Sequence, residues 1–185
     1  MKRLLTIIFF LFFITTIYAQ SVAGKIVVTI KAGNFNIDKS IVTNGWKLDA
    51  VKAVLGNAER RREGFNTTHT YDHYGIVLFE KNSDKVPSGI LSEVQFFLAA
   101  GDTNVVIPKG FFVGKIQVED LKVSSTLTYK ELMGKLKNYI EIDDDSYMLH
   151  NYRLSYKGLY IYFKFNEAEN TLLKMSVGKD LKPQK

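Results

Sequence analysis

The sequence resembles itself at an offset of 81 residues, and this self-similarity constrains the fold more than any other feature. When each residue from 35 to 55 is set against the residue 81 positions later, the apolar positions coincide without a gap. They are Phe35, Ile37, Val42, Trp46, Val51 and Leu55, matched with Ile116, Val118, Val123, Leu127, Leu132 and Leu136. Such regular self-similarity indicates a duplicated supersecondary unit. The chain is therefore predicted to contain two similar halves.

A short amphipathic helix is predicted at the same place in each half. In the first half, Asn44 is the expected N-terminal cap, and Gly56 is expected to end the helix in a left-handed conformation. In the second half, Ser125 or Thr126 offers the cap. The apolar stripes are Leu48, Val51, Val54 and Leu55, and then Tyr129, Leu132, Met133 and Leu136. Helices this short are marginal alone, so each must pack on a sheet.

Period-two alternation of polar and apolar residues predicts strands around these helices, for example at 25–31 and 115–123. The clearest hairpin joins 151–156 to 159–165 through a two-residue turn at 157–158. One face of this hairpin is apolar throughout. The opposite face, which is predicted to meet water or a partner, carries Arg153, Ser155, Tyr160, Tyr162 and Lys164.

We predict an α+β fold of two similar halves, each a short helix packed on an antiparallel sheet. The expected organisation is a signal peptide at 1–19, a first α+β half at 20–100, a second at 101–178 and a disordered tail at 179–185. A mature chain of this length buries enough surface to fold without covalent staples.

The first nineteen residues have the pattern of a secretory signal. Lys2 and Arg3 precede an apolar run at 4–14, and cleavage is expected after Ala19. The alternative is an uncleaved anchor, although the run is shorter than the roughly 20 residues that span a bilayer. No later segment is long and apolar enough to span a membrane, so the cleaved protein is expected in the periplasm or outside the cell.

Composition excludes several classes of function. The chain has no cysteine, which rules out disulfides, thiol nucleophiles and a lipid-modified cysteine. Without Lys2 and Arg3 it has 23 basic and 19 acidic residues, mixed along its length. A nucleic-acid partner is not expected from so mild a charge. The sequence has no nucleophile elbow, phosphate-binding loop or zinc-protease motif, so no catalytic, cofactor-binding or metal-binding residue is assigned.

Three short stretches, "LDAVKAVLG", "YDHYGIVLFE" and "PKGFFVG", carry a resemblance to a known group of proteins. With the second strand and helix that follow, they resemble an uncharacterised family of exported or envelope-associated bacterial proteins with duplicated α+β halves. That resemblance implies no activity and no catalytic residues. The layout is also similar, in architecture alone, to exported inhibitor proteins whose helix-on-sheet repeats form one concave surface.

The stretch "HTYDHYGIVLF" places two histidines beside an aspartate, which raises the question of a catalytic or metal site. We predict instead two strands joined at Tyr74-Gly75, so that His73 and Asp72 point to opposite faces. His69 and His73 would share a face but lie about 13 Å apart, too far to bind one metal ion. The rival reading is a non-strand loop that forces the three side chains together.

Two charged runs occupy equivalent places in the proposed halves. The first is Arg60, Arg61 and Arg62, which the offset of 81 residues sets against Glu141, Ile142 and Asp143; the second run, Asp143, Asp144 and Asp145, begins at the last of these. They are predicted either to form a basic and an acidic pole that steer a charged protein partner or to face each other as an internal salt bridge. A weak calcium site at the aspartates is a further alternative to a solvated loop.

Tyrosine is concentrated late in the chain, and Tyr and Arg are enriched where proteins meet. We therefore predict a partner-binding surface made of the two charged runs together with Arg153, Tyr160, Tyr162 and Lys164. The leading hypothesis is an exported, non-enzymatic protein-binding domain, in its most concrete form an immunity or inhibitor protein against a secreted toxin. The rivals are an envelope scaffold or assembly factor, and an enzyme of unfamiliar type that acts on envelope components.

Overall fold

The computed structural model of the protein describes residues 26–103, 106–137, 141–142 and 150–179, with only the backbone at 141–142. The predicted signal peptide lies outside these ranges, as do Asp143, Asp144, Asp145 and the chain after residue 179. Within the described ranges, no helix is both long enough and apolar enough to cross a bilayer.

The structure contains thirteen strands and two helices in its described part, here numbered in chain order. The first seven strands and first helix are β1 (Val27–Lys31), β2 (Asn34–Ile37), β3 (Ser40–Ile41), α1 (Leu48–Leu55), β4 (Arg60–Arg62), β5 (Asn66–Tyr71), β6 (Ile76–Ser83) and β7 (Val86–Phe97). The remaining elements are β8 (Lys115–Val118), β9 (Leu121–Val123), α2 (Tyr129–Leu136), β10 (Glu141–Ile142), β11 (Asn151–Tyr156), β12 (Leu159–Phe165) and β13 (Leu172–Lys179).

These strands form two sheets. The small sheet has five strands in the order β3-β2-β1-β8-β9, and β1 and β8 run parallel in it. The large sheet has eight strands in the order β10-β11-β12-β13-β7-β6-β5-β4, and every neighbouring pair in it is antiparallel. From β2 onward the order strand, strand, helix and four strands occurs twice along the chain.

The predicted α+β fold class is wrong, because the protein is mostly β: about 49% of the described chain is strand and 11% is helix. Neither half has its own sheet. Strands from both sides of residue 100 pair with each other, β7 with β13 in the large sheet and β1 with β8 in the small one. An eight-residue helix covers little of a sheet this wide, so the apolar faces of the two sheets join both helices in one core instead.

The two helices have different caps from those predicted. Lys47, not Asn44, precedes α1 and makes no side-chain capping bond. Gly56 ends the helix as predicted, but its φ of 77° and ψ of −154° lie outside the predicted left-handed helical region. At α2 the cap is Thr128, whose side chain and that of Glu131 bond reciprocally to each other's backbone amides. This capping box was readable from a threonine followed three residues later by a glutamate.

The hairpin of β11 and β12 has the predicted register, with Tyr152 opposite Phe163, Leu154 opposite Ile161 and Tyr156 opposite Leu159. All six of these side chains are buried in the core. The other face of the hairpin belongs to what we call the outer face of the large sheet, the face directed away from the core.

A connecting segment, residues 98–114, links the large sheet to β8 and touches the outer face at both sides. The Asp102 carboxylate accepts bonds from Lys164 of β12 and Lys174 of β13. Further along, the Ile107 carbonyl accepts a bond from Arg60 of the edge strand β4. The described residues of the segment therefore contact both sides of the outer face, on which Val77 of β6 is fully buried although it points away from the core.

Candidate functional site

The outer face carries a row of polar side chains on four adjacent strands. Arg153 of β11 pairs with Tyr162 of β12, Tyr162 with Ser176 of β13, and Ser176 with Gln95 of β7. Because directly paired residues point to the same side of a sheet, these four side chains form one line across it. The row, together with Glu93, Tyr160 and Lys174, lines an open groove of about 450 Å³, here called the outer-face groove.

Tyr160 is held on three sides. Its ring lies across Gly178 of the neighbouring strand, where an added Cβ would stand only 2.2 Å from the Tyr160 Cζ. The Arg153 guanidinium lies 4.8 Å from the centroid of the same ring, a cation–π distance. The Tyr160 hydroxyl donates a 3.0 Å hydrogen bond to Glu93 Oε2. Burial, and after it the Glu93 carboxylate, raises the pKa of Tyr160, so the hydroxyl stays protonated and keeps donating.

Two polar atoms at the floor of the groove have no hydrogen-bond partner within the described chain: Gln95 Oε1 and Ser176 Oγ. Both residues are more than nine-tenths buried, with exposed fractions of 8% and 1%. The orientation of the Gln95 amide follows from chemistry, since its Nε2 donates to Glu93 Oε1 over 2.8 Å and a carboxylate can only accept. A buried polar atom without a partner costs about 1 to 3 kcal/mol, which indicates a purpose at this site.

One end of the groove is closed by a buried charge cluster. Lys174, of which 4% is exposed, and Lys164 both bond to Asp102, over 3.0 and 2.7 Å. Burial alone would raise the pKa of Asp102, but its hydrogen bonds to Lys164 and Lys174 outweigh burial and hold the pKa below its usual value. The cluster ties the connecting segment to β12 and β13.

Sequence reasoning found part of this groove. Arg153, Tyr160 and Tyr162 line it together. The predicted Lys164 does not line the groove, but it bonds to Asp102, which also holds the lining residue Lys174. The residues contributed by β7 and β13, including Gln95 and the buried Lys174, were not predicted. Their polar positions alternate with apolar ones, which is the signal that marks an outer face.

The arginine run lies on the edge strand β4, where Arg60 and Arg62 point to the outer face and Arg61, which pairs with His69, points to the opposite face. The Arg60 guanidinium donates two hydrogen bonds to Asp72, over 2.6 and 2.9 Å, and Arg61 contacts Glu63. The Arg60 hydrogen bonds, opposed by burial, keep the pKa of Asp72 below its usual value. Arg60, Arg61 and Arg62 line a separate cavity of about 470 Å³.

β10, the strand just before the aspartate run, is at the opposite edge of the large sheet from β4. Asp143, Asp144 and Asp145 themselves lie outside the described residues. The basic pole at the arginine run and the acidic pole at the aspartate run therefore remain a prediction.

The histidine stretch does not fold as predicted. β5 ends at Tyr71, which pairs directly with Ile76, so four residues form the turn rather than Tyr74-Gly75 alone. His73 therefore lies in the turn and does not share a strand face with His69. The connecting segment packs on this turn at Gly75, where an added Cβ would stand 2.3 Å from the Phe112 nitrogen.

The acidic and imidazole groups of this stretch have separate partners. His69 Nε2 lies 2.7 Å from Glu80 Oε2, and both side chains are buried. His73 Nδ1 lies 2.5 Å from Glu59 Oε1 at the surface. Across residues 26–103, 106–137 and 150–179, no three His, Asp or Glu side chains are placed to hold a metal ion.

The buried pair His69–Glu80 and the surface pair His73–Glu59 are expected to differ in how much they contribute to the free energy of unfolding. Glu80→Ala removes the acceptor of His69 and of the Gly89 amide, so we expect a loss of about 2 to 3 kcal/mol in the free energy of unfolding. His73→Ala, at an exposed side chain, is expected to change it by about 0.5 kcal/mol or less. Urea denaturation measures both, and equal effects would contradict this assignment.

Comparison with known proteins gives a family without an assigned activity. A family model described as a domain of unknown function, DUF7738, matches residues 27–133, more than half of the chain. No curated protein matches the sequence. A solved structure with some similarity is a cysteine-rich secretory protein from Staphylococcus aureus subsp. aureus Mu50, at 8% identity and a TM-score of 0.46. The match covers 74% of this chain and 43% of that protein, so the chain spans less than half its length.

Proposed function

This chain belongs to the DUF7738 family, and we propose that it is an exported, non-enzymatic binding protein that recognises a protein partner through the outer-face groove. The observation that carries the proposal is the pair of buried, unpartnered polar atoms, Gln95 Oε1 and Ser176 Oγ, below a rim of tyrosine and arginine. The N-terminal signal pattern supports export.

The rim has the composition of an interaction hot spot. Tyr160, Tyr162 and Arg153 are of the residue types that contribute most to binding energy when a partner excludes water from them. Tyr160 is already fixed by Gly178, Arg153 and Glu93, so little conformational entropy is lost when a partner binds. A prearranged aromatic and cationic rim around a small groove suits the insertion of one side chain from a partner's loop.

An inhibitor of a secreted toxin is the most specific form of this proposal, and an envelope scaffold is its alternative. The separate partners of His69, Asp72 and His73 support binding over acid–base catalysis, because their side chains bond to Glu80, Arg60 and Glu59 respectively and not to one another. Fractionation separates the first two forms, since a scaffold stays with the envelope whereas an inhibitor follows its toxin.

The test is site-specific cross-linking in the producing cell. A photoreactive phenylalanine analogue at Tyr162 is expected to capture a protein, which mass spectrometry identifies and which is then purified for calorimetry. Arg153→Ala is expected to weaken its binding at least about tenfold. Lys122→Ala, at an exposed position of β9 on the small sheet, is the matched control and should leave affinity unchanged. Equal affinities for the two variants would overturn the proposal.

A further inference from the structure

The geometry points to an uncharged amide, the carboxamide of an Asn or Gln side chain in the partner's loop, as the group that the outer-face groove recognises. This inference rests on the proposed protein-binding function and specifies the chemistry of its contact. Three observations support it: the unpartnered polar atoms at the floor, the charges around them and the contacts that the Tyr160 ring already makes.

The free atoms at the floor require a ligand that both donates and accepts. Gln95 Oε1 is an acceptor that cannot turn away, since the Nε2 of the same amide is held by Glu93. The Ser176 hydroxyl can donate as well as accept. Gln95 of β7 and Ser176 of β13 are directly paired, so their Cβ atoms lie about 5 Å apart. A carboxamide placed between them would donate its NH₂ to Gln95 and accept at its carbonyl from Ser176.

The charges of the groove argue against an ionised group at this position. A carboxylate would face the Glu93 carboxylate and the Gln95 carbonyl oxygen, both of which are acceptors. An ammonium or guanidinium group would face Arg153 and the buried Lys174. The groove therefore carries charges of both signs, and each already has a partner: Glu93 bonds to Tyr160 and Gln95, Lys174 bonds to Asp102, and Arg153 lies on the Tyr160 ring. An ion of either sign meets a like charge while the opposite charges are engaged elsewhere, whereas a neutral amide meets no such penalty.

The N-acetyl group of an envelope sugar has the same amide chemistry, but the aromatic surface argues for a protein source. Sugar sites commonly stack a ring on a free aromatic face. The Tyr160 ring already packs against Gly178 and carries the Arg153 guanidinium, so it is not a free platform for a sugar. A loop side chain needs only the hydrogen-bonding floor and the edges of the tyrosines.

The experiment is a titration of the ¹⁵N-labelled protein, followed by amide and side-chain NMR shifts. The probes are acetamide, N-acetyl-asparagine amide, acetate, methylammonium and N-acetylglucosamine. We expect the two carboxamides to shift the Gln95 side-chain NH₂ and the Ser176 amide, and both ions to leave them unmoved. A preference for either ion, or no shift with the carboxamides, would overturn the inference. Binding of N-acetylglucosamine more than about tenfold tighter than acetamide would replace the protein source by a glycan.

Two variants keep the result interpretable. Ser176→Ala removes a hydroxyl that has no partner in the described chain, so we expect unchanged or higher stability together with carboxamide binding at least about fivefold weaker. Gln95→Met keeps the length of the side chain but removes the acceptor that the carboxamide NH₂ needs, so it is expected to abolish carboxamide binding. Its matched control is Gln117→Met, on the exposed side of β8, which should bind as the wild type does.

The same variants separate failure of this inference from failure of the proposed function. A cross-linked partner that binds Ser176→Ala and Gln95→Met as tightly as the wild type, yet loses affinity for Arg153→Ala, would leave the proposed function standing and remove the amide contact. If carboxamides shift the Gln95 signals but Arg153→Ala does not change the affinity for a protein partner, the amide site would stand and the proposed protein-binding function of the groove would fall.

Discussion

Replacing Asp102 with alanine is expected to lower the free energy of unfolding by about 3 to 5 kcal/mol, because it leaves buried cations without their counter-charge. Asp102 accepts from Lys164 and Lys174, and its own side chain is fully buried. Lys174 is almost as deeply buried, so water cannot replace the lost carboxylate. Chemical denaturation of the purified protein measures the loss.

The control for this substitution is Asp120→Ala, at an exposed aspartate in the turn between β8 and β9, where the expected change is within about 0.5 kcal/mol. The double variant Asp102→Ala with Lys174→Met should recover part of the loss, since it removes the uncompensated charge as well. An effect of Asp102→Ala no greater than that of Asp120→Ala would show that the cluster does not fasten the connecting segment.

The Asp102 cluster also predicts how stability depends on pH. Its hydrogen bonds to Lys164 and Lys174 lower its pKa in the folded protein below the ordinary 3.8. A carboxyl with a lowered folded pKa contributes stability that is fully present above its unfolded pKa and is lost as the pH falls through the folded value. Wild-type stability should therefore decline below about pH 4, and Asp102→Ala should show a shallower decline there.

Replacing Gly75 with alanine is expected to cost about 3 kcal/mol, the sum of backbone strain and steric overlap. Gly75 has a φ of 65°, and an added Cβ would stand 2.3 Å from the Phe112 nitrogen and 2.4 Å from the Phe111 carbonyl carbon. Both contacts are backbone, so no side chain can rotate aside. The substitution tests whether the connecting segment packs directly on the turn after β5.

Gly89→Ala is the matched control, because Gly89 also has a positive φ, 74°, but an added Cβ there would meet nothing within 4 Å. The cost at Gly89 should be the backbone strain alone, about 1 kcal/mol. The difference between the two variants isolates the close approach of the connecting segment. Equal losses in thermal or urea denaturation would mean that this approach does not occur.

Local patterns predicted those features that depend on neighbouring residues. The hairpin of β11 and β12 formed with the expected register, because its short turn and alternating pattern leave no other pairing that buries one face. Gly56 ended α1 at the expected position, because glycine tolerates the positive φ that the chain adopts there. The prediction of Asn44 as a cap failed because Lys47 forms an isolated bridge to Ile90, a distant residue.

The groove shows where prediction from local pattern ends. Arg153, Tyr160 and Tyr162 were placed on one face because they alternate along one hairpin. Gln95 joins them only because β7 pairs with β13, a strand about 80 residues later in the chain. No local signal specifies that partner, since antiparallel pairing requires only an apolar face and a free edge.

What the sequence alone determined was the alternation of strand faces, the sites of the two short helices and the outward direction of Tyr160 and Tyr162, because each follows from spacing within a few residues. Only the tertiary structure decided that strands from both ends of the chain share two sheets, that the connecting segment contacts both sides of the outer face, and that Gln95 and Ser176 lie side by side in one row with Tyr162. Those outcomes depend on contacts between distant residues, which are selected by burial of the whole molecule and not by any local pattern.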